Sequence, residues 1–163
     1  MTGGRAVVTQ GTTGGGVQTA VSTQTVNPFA DGGYIVEGDM GIPVGSSIGS
    51  YNVGLVFGGN NFIFHPGYSG GAFRVEGGGI GNQNIGYVPP MGVPHTMQIQ
   101  AMGTDQYRVT ITDSSNPLTN AYALTFTDPS PATSPQSLGF RRSGGGTSHE
   151  AFYDNLRLSL PHL

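Results

Sequence analysis

The sequence predicts an all-β chain, folded as a two-sheet antiparallel sandwich or a barrel. Three observations point there. Apolar residues fall in short period-two runs of Val, Ile, Leu, Phe and Tyr; Gly-rich turns part these runs at roughly ten-residue spacing. The third observation is negative: no ten-residue window carries a helical repeat. A chain of 163 residues is read as one domain, long enough to bury a core without disulfide staples.

Residues 1–26 are rich in Gly, Thr, Gln and Ser, with Val7, Val8, Val17, Val21 and Val26 as sparse apolar points. They read as an edge strand, as two joined by Gly14-Gly15-Gly16, or as a loose arm; the sandwich proper takes residues 27–163. Strands are expected at 33–38, 51–57, 61–65, 72–76, 84–88, 95–102, 106–113, 121–127, 137–142 and 151–160. Turn formers divide them, among them Gly58-Gly59-Asn60, Gly77-Gly78-Gly79, Gly103-Thr104-Asp105, Ser115-Asn116-Pro117 and Gly144-Gly145-Gly146. Alternation sets Met97 and Ile99 against Gln98 and Gln100, and Tyr107, Val109 and Ile111 against Arg108, Thr110 and Thr112. The polar sets, with Arg74 and Glu76, form outer faces, either plain solvated surface or a binding surface.

Composition excludes several functions. A net charge of −3, with six Arg and no Lys, offers no basic stripe for a nucleic acid backbone. No apolar run is long enough to span a bilayer, and no signal-like segment opens the chain. There is no cysteine, so the redox compartment is unreadable. The chain is then either cytoplasmic or a trimmed piece of an exported protein.

The chemical motifs are weak. Gly45-Ser-Ser-Ile-Gly49 has no helix after it, as a nucleophile elbow requires, and neither has Gly67-Tyr-Ser-Gly-Gly71. For Ser69 the triad order also fails, because the first histidine, His65, lies only four residues before it. Glu37-Gly-Asp39 puts two carboxylates on one strand face, in the manner of a glucanase strand, yet Ile42 stands where the partner acid belongs. Without a proton donor, hydrolysis lacks half its machinery. His65, His95, His149 and His162 show no pair at zinc-ligand spacing. No catalytic set is expected.

One carboxylate is out of register. In Ala151–Leu160 period two puts Phe152, Asp154, Leu156, Leu158 and Leu160 on one face, with Tyr153, Asn155, Arg157 and Ser159 on the other. An ionised Asp154 in a core-facing row is too costly without a partner. It is salt-bridged to Arg142 across a hairpin of 137–142 and 151–160, bound to calcium together with Asp31, bonded by backbone amides, or turned outward by a bulge.

The stretches FIFHPGYSGGAFRVEGGG (62–79), NQNIGYVPPMGVPHTMQIQ (82–100), YRVTITDSSNP (107–117), LGFRRSGGG (138–146) and AFYDNLRL (151–158) resemble LamG-like, concanavalin A-type jelly-roll domains. Closest are those of secreted bacterial proteins with a PEP-CTERM sorting tail. The resemblance spans about residues 30–160 and implies a two-sheet jelly roll, an extracellular or cell-surface location, and non-catalytic glycan binding or adhesion. It also implies a structural calcium at the Asp of the closing Asp-Asn strand, here Asp154. The chain has no tryptophan, so a sugar is expected to stack on Tyr51, Tyr68, Tyr87 or Tyr153, with Asn60, Asn61, Arg74 or Gln98 supplying hydrogen bonds. The alternative is a structural role, in which residues 1–26 add a strand to a neighbouring copy and build a homomeric assembly.

Overall fold

The computed structural model describes residues 6–9, 16–41, 44, 52–64, 73–76, 83–85, 92–113, 122–144 and 150–161. Twelve strands run through them: β1 (Ala6–Thr9), β2 (Gly16–Val26), β3 (Ile35–Gly41), β4 (Asn52–Phe57), β5 (Asn60–Phe64), β6 (Phe73–Glu76), β7 (Gln83–Ile85), β8 (His95–Met102), β9 (Gln106–Asp113), β10 (Tyr122–Thr127), β11 (Gln136–Gly144) and β12 (Glu150–Ser159). They form two six-stranded antiparallel sheets. The first has the order β1-β12-β3-β8-β9-β10 and the second β2-β11-β4-β5-β6-β7.

Alternation explains the core. Along β8, His95, Met97, Ile99 and Ala101 point inward; along β9, Tyr107, Val109, Ile111 and Asp113 do the same. They meet Val53, Leu55 and Phe57 of β4 and Phe62 of β5 from the second sheet. Each Val, Leu, Ile, Phe or Met side chain among them contributes roughly 1.5–3 kcal/mol when fully buried. Tyr107 is the hub, with ring centroids 5.0 Å from Phe29, 5.9 Å from Phe57 and 5.5 Å from Phe62. The β4–β5 hairpin turns on Gly58 and Gly59 at φ 61° and 79°, the left-handed pair that a two-residue hairpin needs. A Cβ on Gly58 would lie 2.1 Å from Tyr107 Oη, so this turn closes directly over the hub.

The N-terminal segment contributes two edge strands to opposite sheets: β1 pairs with β12, and β2 with β11. Three sequence expectations are corrected. Residues 137–142 and 151–160 do not form a hairpin, because β11 and β12 lie in different sheets; Tyr153 Oη donates across the gap to Arg141 O at 2.8 Å. The Arg142–Asp154 pairing across such a hairpin falls with it. Strand β3 runs to Gly41 rather than stopping at residue 38, since β12 and β8 pair it on both sides.

The third correction concerns the inward row of β12, and for Asp154 it is the expected alternative of a bulge that holds. Tyr153, of the parity expected to face out, enters the core. Between Asp154↔Asp39 and Arg157↔Glu37 the β12 strand gains one residue on β3, and Asn155 takes up the slack at φ 54°. That bulge inverts the parity, so Leu156 and Leu158 then pack on the core while Asp154 faces out.

Candidate functional site

The bulge delivers Asp154 to the outer face of the first sheet. Register there lines up three rungs, polar except at Ile35. One reads Asp154, Asp39, Thr96, Thr112; the next Arg157, Glu37, Gln98, Thr110; the third Ser159, Ile35, Gln100, Arg108. All are exposed or half-buried. Strand spacing puts neighbours along a rung about 5 Å apart, and the pleat puts same-face rungs about 7 Å apart.

Cross-strand hydrogen bonds hold the carboxylates. Asp39 accepts Thr96 Oγ1 at 2.6 Å on one oxygen and Asn155 Nδ2 at 2.7 Å on the other. Glu37 accepts Gln98 Nε2 at 3.0 Å and lies 3.6 Å from Arg157 Nη1. That ion pair is largely solvated and holds geometry more than stability. Asp154 accepts the Asn155 backbone N–H at 2.8 Å. The left-handed Asn155 thus serves both acids, Asp154 through its backbone and Asp39 through its amide. The result is an ordered lattice of acceptors, amides, hydroxyls and a guanidinium, suited to exchanging hydrogen bonds with a polyhydroxylated ligand.

The sequence-named residues are dispersed. Asn60 is fully buried, donating from Nδ2 to Asp128 at 2.9 Å and to Gly58 O at 3.4 Å. It pins the β10–β11 loop to the β4–β5 hairpin, so it is corrected from sugar contact to interior clamp. Tyr153 is likewise buried, its ring 4.6 Å from Phe140, and offers no stacking platform. Asn61 is half-buried on β5, and Arg74 holds a position on β6 opposite Ile63; both belong to the second sheet. Tyr51, Tyr68 and Tyr87 lie outside the described residues, as do both Gly-x-Ser-x-Gly motifs. Gln98 alone of the named hydrogen bonders sits on the first sheet's outer face.

The calcium pair does not assemble. Asp31 is exposed in the 3-10 turn Ala30–Gly32 and accepts Tyr34 Oη at 3.3 Å. Asp154 pairs with Asp39, four strand residues beyond Ile35, or about 13 Å further along β3. Among the described residues no three His, Asp or Glu side chains gather as a metal group.

Two interior polar groups were not foreseen. His95 and Asp113 are buried directly opposite each other, and His95 Nδ1 lies 3.0 Å from Val93 O. Burial holds the imidazole below its ordinary pKa, against the opposing pull of the Val93 carbonyl and of Asp113. At the opposite end of the sandwich, burial and then the Asp128 carboxylate push the Tyr107 phenol up. Asp113 shares the parity of Tyr107, Val109 and Ile111, which is the signal that could have found it; no local signal marks Asp128.

No family model and no curated protein matches the sequence. Solved structures match the fold. The lectin UEA-II complexed with galactose aligns at TM-score 0.58 and 10% identity, covering 94% of this chain and 93% of that one. A glycosyl hydrolase family 16 protein from Mycobacterium smegmatis aligns at 0.53 and 12% identity, over 85% of this chain and 67% of its own. Basic winged bean lectin with Tn-antigen aligns at 0.50 and 11%, over 86% and 80%. This chain has the concanavalin A-like lectin and glucanase sandwich fold.

Proposed function

We propose that the chain is a non-catalytic carbohydrate-binding or adhesion module working outside the cell or on its surface, of the LamG-like kind. The carrying observation is the rung Arg157, Glu37, Gln98, Thr110 on an outward sheet face, flanked by Asp39 and Thr96. Sugar hydroxyls donate and accept at once, and they are read by planar amides, carboxylates and guanidinium groups set on a rigid frame. The occurrence of lectins among the proteins of this fold supports the reading. Its non-catalytic half rests on Glu37 and Asp39, whose oxygens are engaged by neighbours, and on Ile42 at the place of a third acid.

A glycan array followed by titration against responding polysaccharides tests this, run with and without chelator. Binding is expected, and Gln98→Ala or Arg157→Ala should weaken it about tenfold, the worth of one hydrogen bond to a charged or hydroxyl group. Silence across plant, algal and bacterial polysaccharides would overturn it. Turnover of β-glucans that Glu37→Gln abolishes would convert the reading to an enzyme.

A further inference from the structure

The connection from β10 to β11 reads Asp128-Pro-Ser-Pro-Ala-Thr-Ser-Pro-Gln136, with three prolines, three hydroxyl residues and no charged side chain between its ends. Proline fixes φ, lacks a donor for a ladder, and drives the residue before it into extended backbone. Residues 129–135 accordingly form neither strand nor helix. Both roots of the loop are fastened. Buried Asp128 accepts Asn60 Nδ2 and the Ser130 backbone N–H at 2.9 Å each, and its own N–H donates to Asp105 O at 2.7 Å. At the far end Gln136 Nε2 donates to Ser134 O at 3.2 Å and to Ser134 Oγ at 3.1 Å. An open, extended loop is thus held out on a fixed base.

Pro129, Ser130, Thr133, Ser134 and Pro135 are all exposed. Ser134 Oγ is engaged by Gln136, whereas the hydroxyls of Ser130 and Thr133 have no hydrogen-bond partner among the described residues. We propose that this loop is an O-glycosylation site, with Thr133 as main acceptor and Ser130 as the second, taking a neutral sugar from a nucleotide-activated donor. Serine and threonine interspersed with proline is the composition of O-glycosylated segments. In the transfer, Thr133 Oγ1 bonds to the anomeric carbon as the bond from that carbon to the donor's phosphate oxygen breaks. The nucleoside diphosphate leaves with the electron pair, and the hydroxyl proton passes to a base of the transferase.

Exposed hydroxyls elsewhere are placed differently. Thr125 and Thr127 lie in β10 and Ser159 in β12, where the backbone is committed to a sheet and a transferase cannot enclose it. Thr133 stands on chain with no strand partner, the kind of surface segment on which modifying enzymes act. Charge favours a sugar over a phosphate. A phosphoryl group brings about −1.5 to −2 charges and is held by arginine partners. The loop's root is instead a carboxylate, Asp128, and among the described residues no arginine hydrogen-bonds to residues 129–135. A neutral sugar meets no such repulsion.

Intact mass and peptide mapping of the protein purified from the organism that makes it provide the test. The mass is expected to exceed the sequence mass by whole monosaccharide residues, carried on the peptide holding residues 129–135 and released by mild alkali. Thr133→Ala should lose most of that increment, and Thr133→Ala with Ser130→Ala all of it. Both side chains are exposed, so the circular dichroism spectrum should not change. The bare sequence mass, a phosphate increment, a sugar on another segment, or one that persists in the double variant overturns the proposal. None of these outcomes touches the carbohydrate-binding reading, which concerns the first sheet's outer face.

Discussion

Asp154 and Asp39 stand opposite each other on neighbouring strands, where like charges repel, and Asn155 between them supplies a donor to each. Inside the sandwich, polar residues are handled differently. Asp128 is 1% exposed and accepts from Asn60 Nδ2 and from the Ser130 backbone N–H, both at 2.9 Å. Tyr107 Oη is buried beside the Asn60 side chain and makes no hydrogen bond of good geometry among the described residues. Removing a partnered group and removing an orphan should therefore have opposite consequences. Asp128→Ala leaves two donors unpaired and is expected to cost about 1–3 kcal/mol in a urea titration. Tyr107→Phe deletes only the unpaired hydroxyl and should be neutral within about 1 kcal/mol or slightly stabilising. A large loss from Tyr107→Phe would show that the hydroxyl has a partner.

At the scale of strands, β8 and β9 were legible because nothing interrupts their pleat: burial alternates without a break over eight residues in each. Strand β12 was legible as a strand and misread as a surface, because one residue at φ 54° reverses which side chains face the core. Asp154 carried the signal, and its cause, a bulge, was one of several that the residues allowed. Strand β3 was cut short because Gly38, Asp39 and Gly41 are poor strand formers in isolation; pairing on both sides overrides that preference. Gly38 is also where Phe140 of the second sheet closes in: a Cβ there would lie 2.7 Å from that ring. Deleting Asn155 removes the extra residue and leaves Tyr153, Leu156 and Leu158 in one period-two row that faces the core. The expected loss is about 1 kcal/mol in denaturant unfolding, from the hydrogen bonds of Asn155 to Asp154 and Asp39. A loss of about 2–4 kcal/mol, the worth of turning two leucines out of the core, would mean that the extra residue does not set parity.

Across the whole molecule, each end of the sandwich has its own polar group, His95 with Asp113 at one and Asn60 with Asp128 at the other. The first should make stability depend on pH. The folded imidazole has a lowered pKa, so between the folded and unfolded values the unfolded chain binds the proton better. Stability is thus level above the ordinary imidazole pKa and declines as pH falls below about 6.5. Unfolding midpoints measured from about pH 7.5 to about pH 5.5 should show that decline, and His95→Gln should flatten it. An equal slope in the variant would assign the effect elsewhere.

Strand content and the inward rows of β8 and β9 follow from the sequence alone. Side-chain direction in an extended chain alternates by local geometry, and glycine turns mark where it stops. The tertiary structure decided which strands became neighbours. It put β11 and β12 in opposite sheets, buried Asn60, parted Asp31 from Asp154, and aligned Glu37 with Gln98 and Arg157. Adjacency across strands depends on sheet order and register, and these are set by packing between segments far apart in the chain; a single bulged residue is enough to exchange the inside of a strand for its outside.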